Sequence, residues 1–298
     1  MRLRSVLQRN RPAVALVIGN GVNRYGAPHS GNSWDSLLRS MGDKYLGRRH
    51  AGIREGISLP EFYDLLDLAR GSVPSSEGLQ SEFCARMAGW KPVEHHRRIV
   101  EWAQKARAPI LTTNFESTLG QAGGCSLHHL PNTRFTDYYP WSSYYAKEAV
   151  DSPTSGFGIW HINGMQHYRR SIRLGLTHYM GAVARARGLI QKSGGRPLFA
   201  EGPSSQWAGS ATWLDIVFHK PLLVFGLALE ENETFLRWLL IERAKYFSRF
   251  PSRRKDAWYV HLPAERGSGK LYFLERLGFT PLQAPDYDDI YGADTWNG

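Results

Sequence analysis

Four short stretches of the chain place small or polar residues directly behind an apolar run. They are Gly19-Asn20-Gly21, Thr112-Thr113-Asn114, His161-Ile162-Asn163-Gly164 and Gly226-Leu227-Ala228. Glycine lets a backbone approach another group closely, and main-chain N–H groups behind a strand favour an anion such as phosphate. Histidine, with an ordinary pKa of about 6.5, accepts a proton at neutral pH. Asparagine offers a donor and an acceptor that orient a hydroxyl or a water. Singly these signals are ordinary: a glycine turn, an asparagine turn former or a hydrogen-bonded structural histidine explains each. The Gly-Asn-Gly turn also lacks the third glycine of a dinucleotide fingerprint, because position 24 is Arg. Specificity would come from all four meeting at one place.

Parallel strands bring such turns together. Residues 13–19, AVALVIG, read as a buried strand closed by glycine. Strands are also predicted at 109–115, 157–162, 221–226 and 257–262, with weaker ones at 125–130 and 279–283. A further strand is read at 171–177, its Thr177 capping the next helix. Ser33 is the expected N-cap of a helix over 34–46, and Ser58 with Glu61 forms a capping box around Pro60 for a helix to Arg70. Further helices are expected at 77–88, 92–106, 177–190, 207–218, 232–247 and 269–277. The alternation predicts an α/β fold with a Rossmann-like, mainly parallel sheet and helices on both faces. Residues 40–106 interrupt the alternation and read as a helical insert or cap within a single domain over residues 1–298. In such sheets ligands sit at the carboxyl ends of the strands, where the strand order reverses.

The formal charge is +10, with basic clusters at 47–50, 95–98 (HHRR), 167–170, 185–187 and 252–255 (SRRK). That balance suits polyanions, including nucleic acid, but the clusters are scattered between elements, as solvated rims are. Cys84 and Cys125 are the two cysteines, too few for a disulfide framework or a four-thiolate zinc site. No apolar run reaches the roughly 18–20 residues of a membrane helix, and the basic start lacks an apolar signal core. Together these predict a cytoplasmic protein with reduced thiols, no metal and no membrane association.

Taken together and in order, the motifs resemble those of sirtuins. The stretch GNGVNRYGAPHSGNSWDSLL (19–38) is similar to the first nucleotide loop of that fold. TTNFE (112–116) resembles its Thr-Gln-Asn-Ile-Asp segment, and WHINGM (160–165) the segment with the catalytic histidine. VFGLALEENETFLRWLL (224–240) resembles the strand-to-helix turn that receives the adenosine half of NAD. The zinc-module cysteines and the Pro-Asp-Phe-Arg stretch are absent, Ser33-Trp34-Asp35 stands near the latter's place, and Glu116 replaces an Asp. These departures point to the divergent, zinc-free prokaryotic sirtuin-like proteins, NAD-hydrolysing effectors of antiphage defence.

The resemblance implies NAD+ as substrate and cleavage of the nicotinamide–ribose bond to nicotinamide and ADP-ribose. It implies Asn114 and His161 as catalytic residues, Asn114 orienting the ribose or water and His161 acting as general base. It implies an NAD-binding set of Gly19, Asn20, Gly21, Asn23, Trp34, Asp35, Thr113, Glu116, Gly226 and Leu227, with the Gly19–Gly21 amides on the pyrophosphate. A free NAD hydrolase poisons its own cell, so a homo-oligomer or a separate sensor protein is expected, with nucleic acid reached through that partner or the basic surface. Two alternatives stay open: an ADP-ribosyl transferase or protein deacylase, and a non-catalytic nucleotide- or nucleic-acid-binding module.

Overall fold

Ala15–Ile18 is buried at all four positions, as a strand with a helix layer on each face must be. It is the first strand, β1, of one eight-stranded sheet. The others are β2 (Ile110–Thr112), β3 (Ser126–His129), β4 (Ser143–Ala146), β5 (Ile159–His161), β6 (Leu222–Phe225), β7 (Ala257–His261) and β8 (Thr280–Gln283). The computed structural model describes residues 2–11, 13–26, 32–47, 52–71, 78–131, 133–191, 196–203, 206–230 and 233–297. Residues 27–31 of the first loop, residues 48–50 of one basic cluster and residue 232, the expected start of a helix, lie outside these.

The strand order is β3-β4-β5-β2-β1-β6-β7-β8. The six strands from β5 to β8 are mutually parallel, and β3 and β4 add an antiparallel hairpin at one edge. The parallel set is the doubly wound Rossmann order, and its direction reverses between β1 and β6. Alternate residues feed two layers. Ala15, Val17, Leu222, Val224 and Tyr259 pack with the helices Leu176–Gln191, Leu214–His219 and Thr234–Arg249. Leu16, Ile18, Leu223, Phe225 and Val260 pack with the helices Leu3–Arg9, Glu94–Ala106 and Ala293–Trp296.

The cap has a third core of its own, built from Leu38, Met41, Phe62, Leu66, Phe83 and Met87 on the helices Trp34–Tyr45, Leu59–Arg70 and Leu79–Met87. Its limits differ from the predicted 40–106. Trp34 and Trp90 belong to it, whereas Ile99, Val100 and Trp102 of the next helix pack in the sheet's own layer. Ser33 caps the first cap helix by accepting from the Ser36 N–H, and the Ser58–Glu61 capping box forms as expected.

Two expectations fail. Residues 171–177 make no strand: a 3-10 turn at Arg169–Ser171 leads into a helix that starts at Leu176. The backbone there is held by the cap and a neighbouring turn, through Leu176 N–H to Asp64 Oδ2 at 3.0 Å and Arg173 N–H to the Asn163 carbonyl at 2.8 Å. The segment 125–130 does form its expected strand, Ser126–His129, paired antiparallel to β4, which no apolar run announces. The 207–218 helix shrinks to Leu214–His219. The basic leader, for its part, forms an amphipathic helix whose Leu3, Val6 and Leu7 are buried.

Candidate active site

The site begins where β1 and β6 leave the sheet side by side. The Gly19 N–H donates to the Phe225 carbonyl at 3.1 Å and the Gly21 N–H to the Gly226 carbonyl at 2.8 Å. A Cβ on Gly19 would lie 2.4 Å from the Gly226 oxygen, and one on Gly21 2.6 Å from the Tyr291 hydroxyl. Gly226 adopts φ +64°, and its Cβ would sit 2.4 Å from the same hydroxyl. This corrects the expectation that both flanking amides serve a phosphate. The Gly19 and Gly21 amides are already bonded to the neighbouring turn. What lies against these glycines is that turn and a tyrosine from the short helix Asp288–Tyr291.

Beside this crossing opens a cavity of about 450 Å³, within the range of roughly 300–1,000 Å³ common for small-molecule sites. Of the expected binding residues, Asn20, Gly21, Trp34 and Asp35 line it, as do Thr113, Gly226 and Leu227. Asp35 is tied into the helix start, accepting from Ser33 Oγ at 2.5 Å. Gly19 is packed away behind Gly226.

Several lining residues were not anticipated. Arg24 is exposed at the cavity's edge and has no carboxylate partner among the described residues. It occupies the position whose departure from the glycine fingerprint was the visible signal. Lys270 donates to the Ala228 carbonyl at 2.7 Å, lies 3.6 Å from Glu230 and pairs with Glu265. The Tyr259 hydroxyl donates to the Leu227 carbonyl at 2.8 Å. Burial pushes the Glu233 carboxyl up to about 7. Tyr291 and Lys270 come from segments whose sequence carries no motif.

Asn114, Glu116 and His161 do not line this cavity; none is more than 2% exposed, and Asn114 follows the lining residue Thr113 in the chain. The β2 turn that carries Asn114 is braced against β1: Thr112 Oγ1 donates to the Ile18 carbonyl at 3.0 Å and accepts from the Asn114 N–H at 3.1 Å. Phe115 stacks on Trp34 with ring centroids 4.3 Å apart, joining the turn to the cap. His161 ends β5, and its Nδ1 lies 2.7 Å from the Asn114 main-chain carbonyl. A carbonyl only accepts, so Nδ1 carries the proton and Nε2 presents a lone pair. Burial holds the imidazole down to about 4, against the opposing pull of that hydrogen bond.

Glu116 is held by a relay. Its Oε1 accepts from Asn23 Nδ2 at 2.8 Å and from Thr118 Oγ1 at 2.9 Å. Asn23 Oδ1 accepts from His96 Nε2 at 3.1 Å, and His96 Nδ1 accepts from the Val93 N–H at 3.2 Å. His95 stacks on His96 and contacts the Val22 carbonyl at 2.6 Å. Burial keeps both imidazoles neutral, His96 down to about 3. Half of the HHRR cluster is therefore buried scaffolding of the site, not basic surface. Burial also raises the Glu116 carboxyl, opposed first by the Asn23 amide, then by its own main-chain N–H and Thr118, and last by the nearby Asn114 amide, which makes no formed hydrogen bond.

The buried polar atoms with no hydrogen-bond partner concentrate here. Asn114 Nδ2 and Oδ1, Glu116 Oε2, His161 Nε2 and Asn163 Nδ2 are all unpaired, as is the Tyr291 hydroxyl at the glycine crossing. Buried polar groups are normally paired, and each exception calls for a reason. Here the arrangement offers a carboxyl oxygen, an amide and a neutral imidazole nitrogen that a bound polar molecule would complete. Among the described residues no group of three His, Cys, Asp or Glu is placed to hold a metal ion, and no helix is long and apolar enough to cross a membrane. No protein-family model matches the chain, and no curated protein matches it.

Proposed function

We propose that the chain is an NAD+ glycohydrolase, cleaving the nicotinamide–ribose bond with water to give nicotinamide, ADP-ribose and a proton. The observation that carries this reading is the group of unpaired buried atoms on Asn114, Glu116 and His161, joined through Thr113 to a cavity at the switch point of a doubly wound sheet. The ADP half lies in the cavity with its pyrophosphate towards Arg24, and Glu230 and Glu265 are placed to accept from ribose hydroxyls. The nicotinamide ribose passes Thr113 to reach Asn114. Since the three deeper groups are closed to solvent, substrate entry displaces the Trp34 side of the cap.

The bond breaks through an oxocarbenium-like state, and nicotinamide leaves as a neutral molecule, so no strong acid is needed. Positive charge grows on the ribose, and the Glu116 carboxyl oxygens, held at fixed geometry by Asn23 and Thr118, stabilise it as dipoles. Asn114 orients the attacking water or a ribose hydroxyl, and His161 Nε2 takes the proton. An unrestrained NAD hydrolase depletes its own cell, and we assign its control to assembly or to a separate sensor protein, as the sirtuin-like resemblance implies.

The test is NAD turnover by the purified protein and by cells expressing the gene with its genomic neighbours, with and without phage infection. Nicotinamide and ADP-ribose from the wild type, absent with Asn114→Ala and His161→Ala, support the reading. An undiminished NAD pool in every arm overturns it.

A further inference from the structure

The SRRK cluster at 252–255 has no place in the site above. Arg253 is spent within the fold, its guanidinium 4.2 Å from the Phe250 ring centroid and donating to the Tyr246 hydroxyl at 3.1 Å and the Gly202 carbonyl at 2.8 Å. Arg254 and Lys255 instead open onto a second cavity, of about 530 Å³. It lies at the opposite end of the sheet. Ala257, the first residue of β7, lines it, whereas Val260 and His261 at the other end of that strand line the candidate active site.

Five cations line this second cavity, Arg243, Lys245, Arg254, Lys255 and Arg276, against two carboxylates, Asp256 and Glu275. Lys245 pairs outside the cavity lining with Glu242 at 2.7 Å, and Arg276 lies 5.2 Å from the Tyr272 ring centroid. Arg254 and Lys255 have no carboxylate partner among the described residues. Arg243 is 2% exposed and its guanidinium donates to main-chain carbonyls: Val217, Lys255 at 3.0 Å and Asp256 at 3.3 Å. Burial lowers it to about 9, which leaves it cationic at neutral pH. Lys220, close by, is lowered by burial and by the charge of Lys255. Like charges gathered in a partly desolvated hollow repel one another, and a bound anion relieves that repulsion.

We propose that this hollow binds a small polyphosphate-bearing molecule, of the free-nucleotide class, at a site separate from the candidate active site. The volume suits a small molecule. Guanidinium and ammonium groups on several sides match phosphate oxygens, which accept from both. The cations converge in one concavity instead of forming the stripe that tracks a nucleic-acid backbone.

The experiment is calorimetric titration of the full chain at low, fixed ionic strength, with inorganic tripolyphosphate and then ATP as probes. The variants are Arg254→Glu/Lys255→Glu, on exposed side chains, and Arg24→Glu at the other cavity, with melting temperatures checking the fold. We expect wild-type binding that weakens by about tenfold or more in the double variant and persists in Arg24→Glu. Absence of binding to the wild type overturns the proposal, as does binding unchanged in the double variant or lost only with Arg24→Glu. A single-stranded oligonucleotide that displaces tripolyphosphate more readily than ATP does also overturns it, making the surface one for nucleic acid. None of these readouts depends on NAD turnover.

Discussion

His161 donates from Nδ1 to the main-chain carbonyl of Asn114 at 2.7 Å, so one candidate catalytic residue sets the tautomer of the other through its backbone. The imidazole is left with an unprotonated Nε2, buried and unpaired, as are both polar atoms of the Asn114 side chain. His161→Ala and Asn114→Ala should each lower kcat for NAD cleavage by about 10²–10⁴-fold. Circular dichroism should show both still folded, because Asn114→Ala removes two unpaired atoms and His161→Ala one unpaired atom and one hydrogen bond. Turnover within a few-fold of wild type in either would remove that residue from the mechanism.

The pH dependence should follow the depressed imidazoles. His161 sits near 4 and His96 near 3, against about 6.5 when unfolded. Above pH ~6.5 both states are neutral and nothing is lost. As pH falls from there towards the folded values the unfolded chain takes up protons that the native chain refuses, and stability drops. The melting temperature should therefore decline steadily between about pH 6.5 and 4. The acid limb of kcat should likewise lie below about pH 5, where His161 itself protonates. A kcat midpoint near 6.5 would place a different group in the base's role.

His96 is linked to Glu116 through Asn23, so under the proposed mechanism it is a positioning residue. His96→Leu should lower kcat by about tenfold or more while KM for NAD stays near wild type. His96→Gln, which keeps a donor towards Asn23 Oδ1, should recover part of that loss. Equal loss in both variants, matched by equal loss of melting temperature, would mean that the histidine serves packing alone.

The glycine crossing makes a prediction about stability. Gly226→Ala places a Cβ 2.4 Å from the Tyr291 hydroxyl at φ +64°, and should cost about 2–4 kcal/mol. In a Tyr291→Phe background the hydroxyl clash is gone, and the cost should shrink to the roughly 1–2 kcal/mol of a left-handed non-glycine residue. Chemical denaturation of the four proteins measures the difference as a double-mutant cycle.

Arg24→Glu should raise KM for NAD, and Kd for ADP-ribose, by about tenfold or more, since it reverses a cation at the cavity's edge that has no carboxylate partner among the described residues. Its exposed position predicts a melting temperature within a degree or two of wild type. Unchanged affinity would move the phosphates elsewhere in the cavity.

Local features were legible from residues alone wherever the cause was local. Continuous apolar runs mark β1, β2, β5, β6 and β7, because a strand covered on both faces has no polar side to show. Ser33, Ser58 and Glu61 announce helix starts because a cap is satisfied within three residues. Asn114, His161 and Glu116 stood out because each follows such a run. The stretch 171–177 misled for the same reason: its alternation is that of a half-buried strand, but its backbone hydrogen bonds go to the cap and a neighbouring turn.

Tertiary structure decided what the glycines face and what holds the carboxylate. Gly19 and Gly21 announced by their type that something approaches closely, and only the fold brings up the β6 turn and Tyr291 from near the C-terminus. Asn23 lies 93 residues from Glu116 and 73 from His96, and no spacing rule links them. An apolar run records that a strand is buried, not which strand lies beside it. The strand order, the relay under Glu116 and the two cavities at opposite ends of the sheet all follow from that pairing, which is a property of the packed chain.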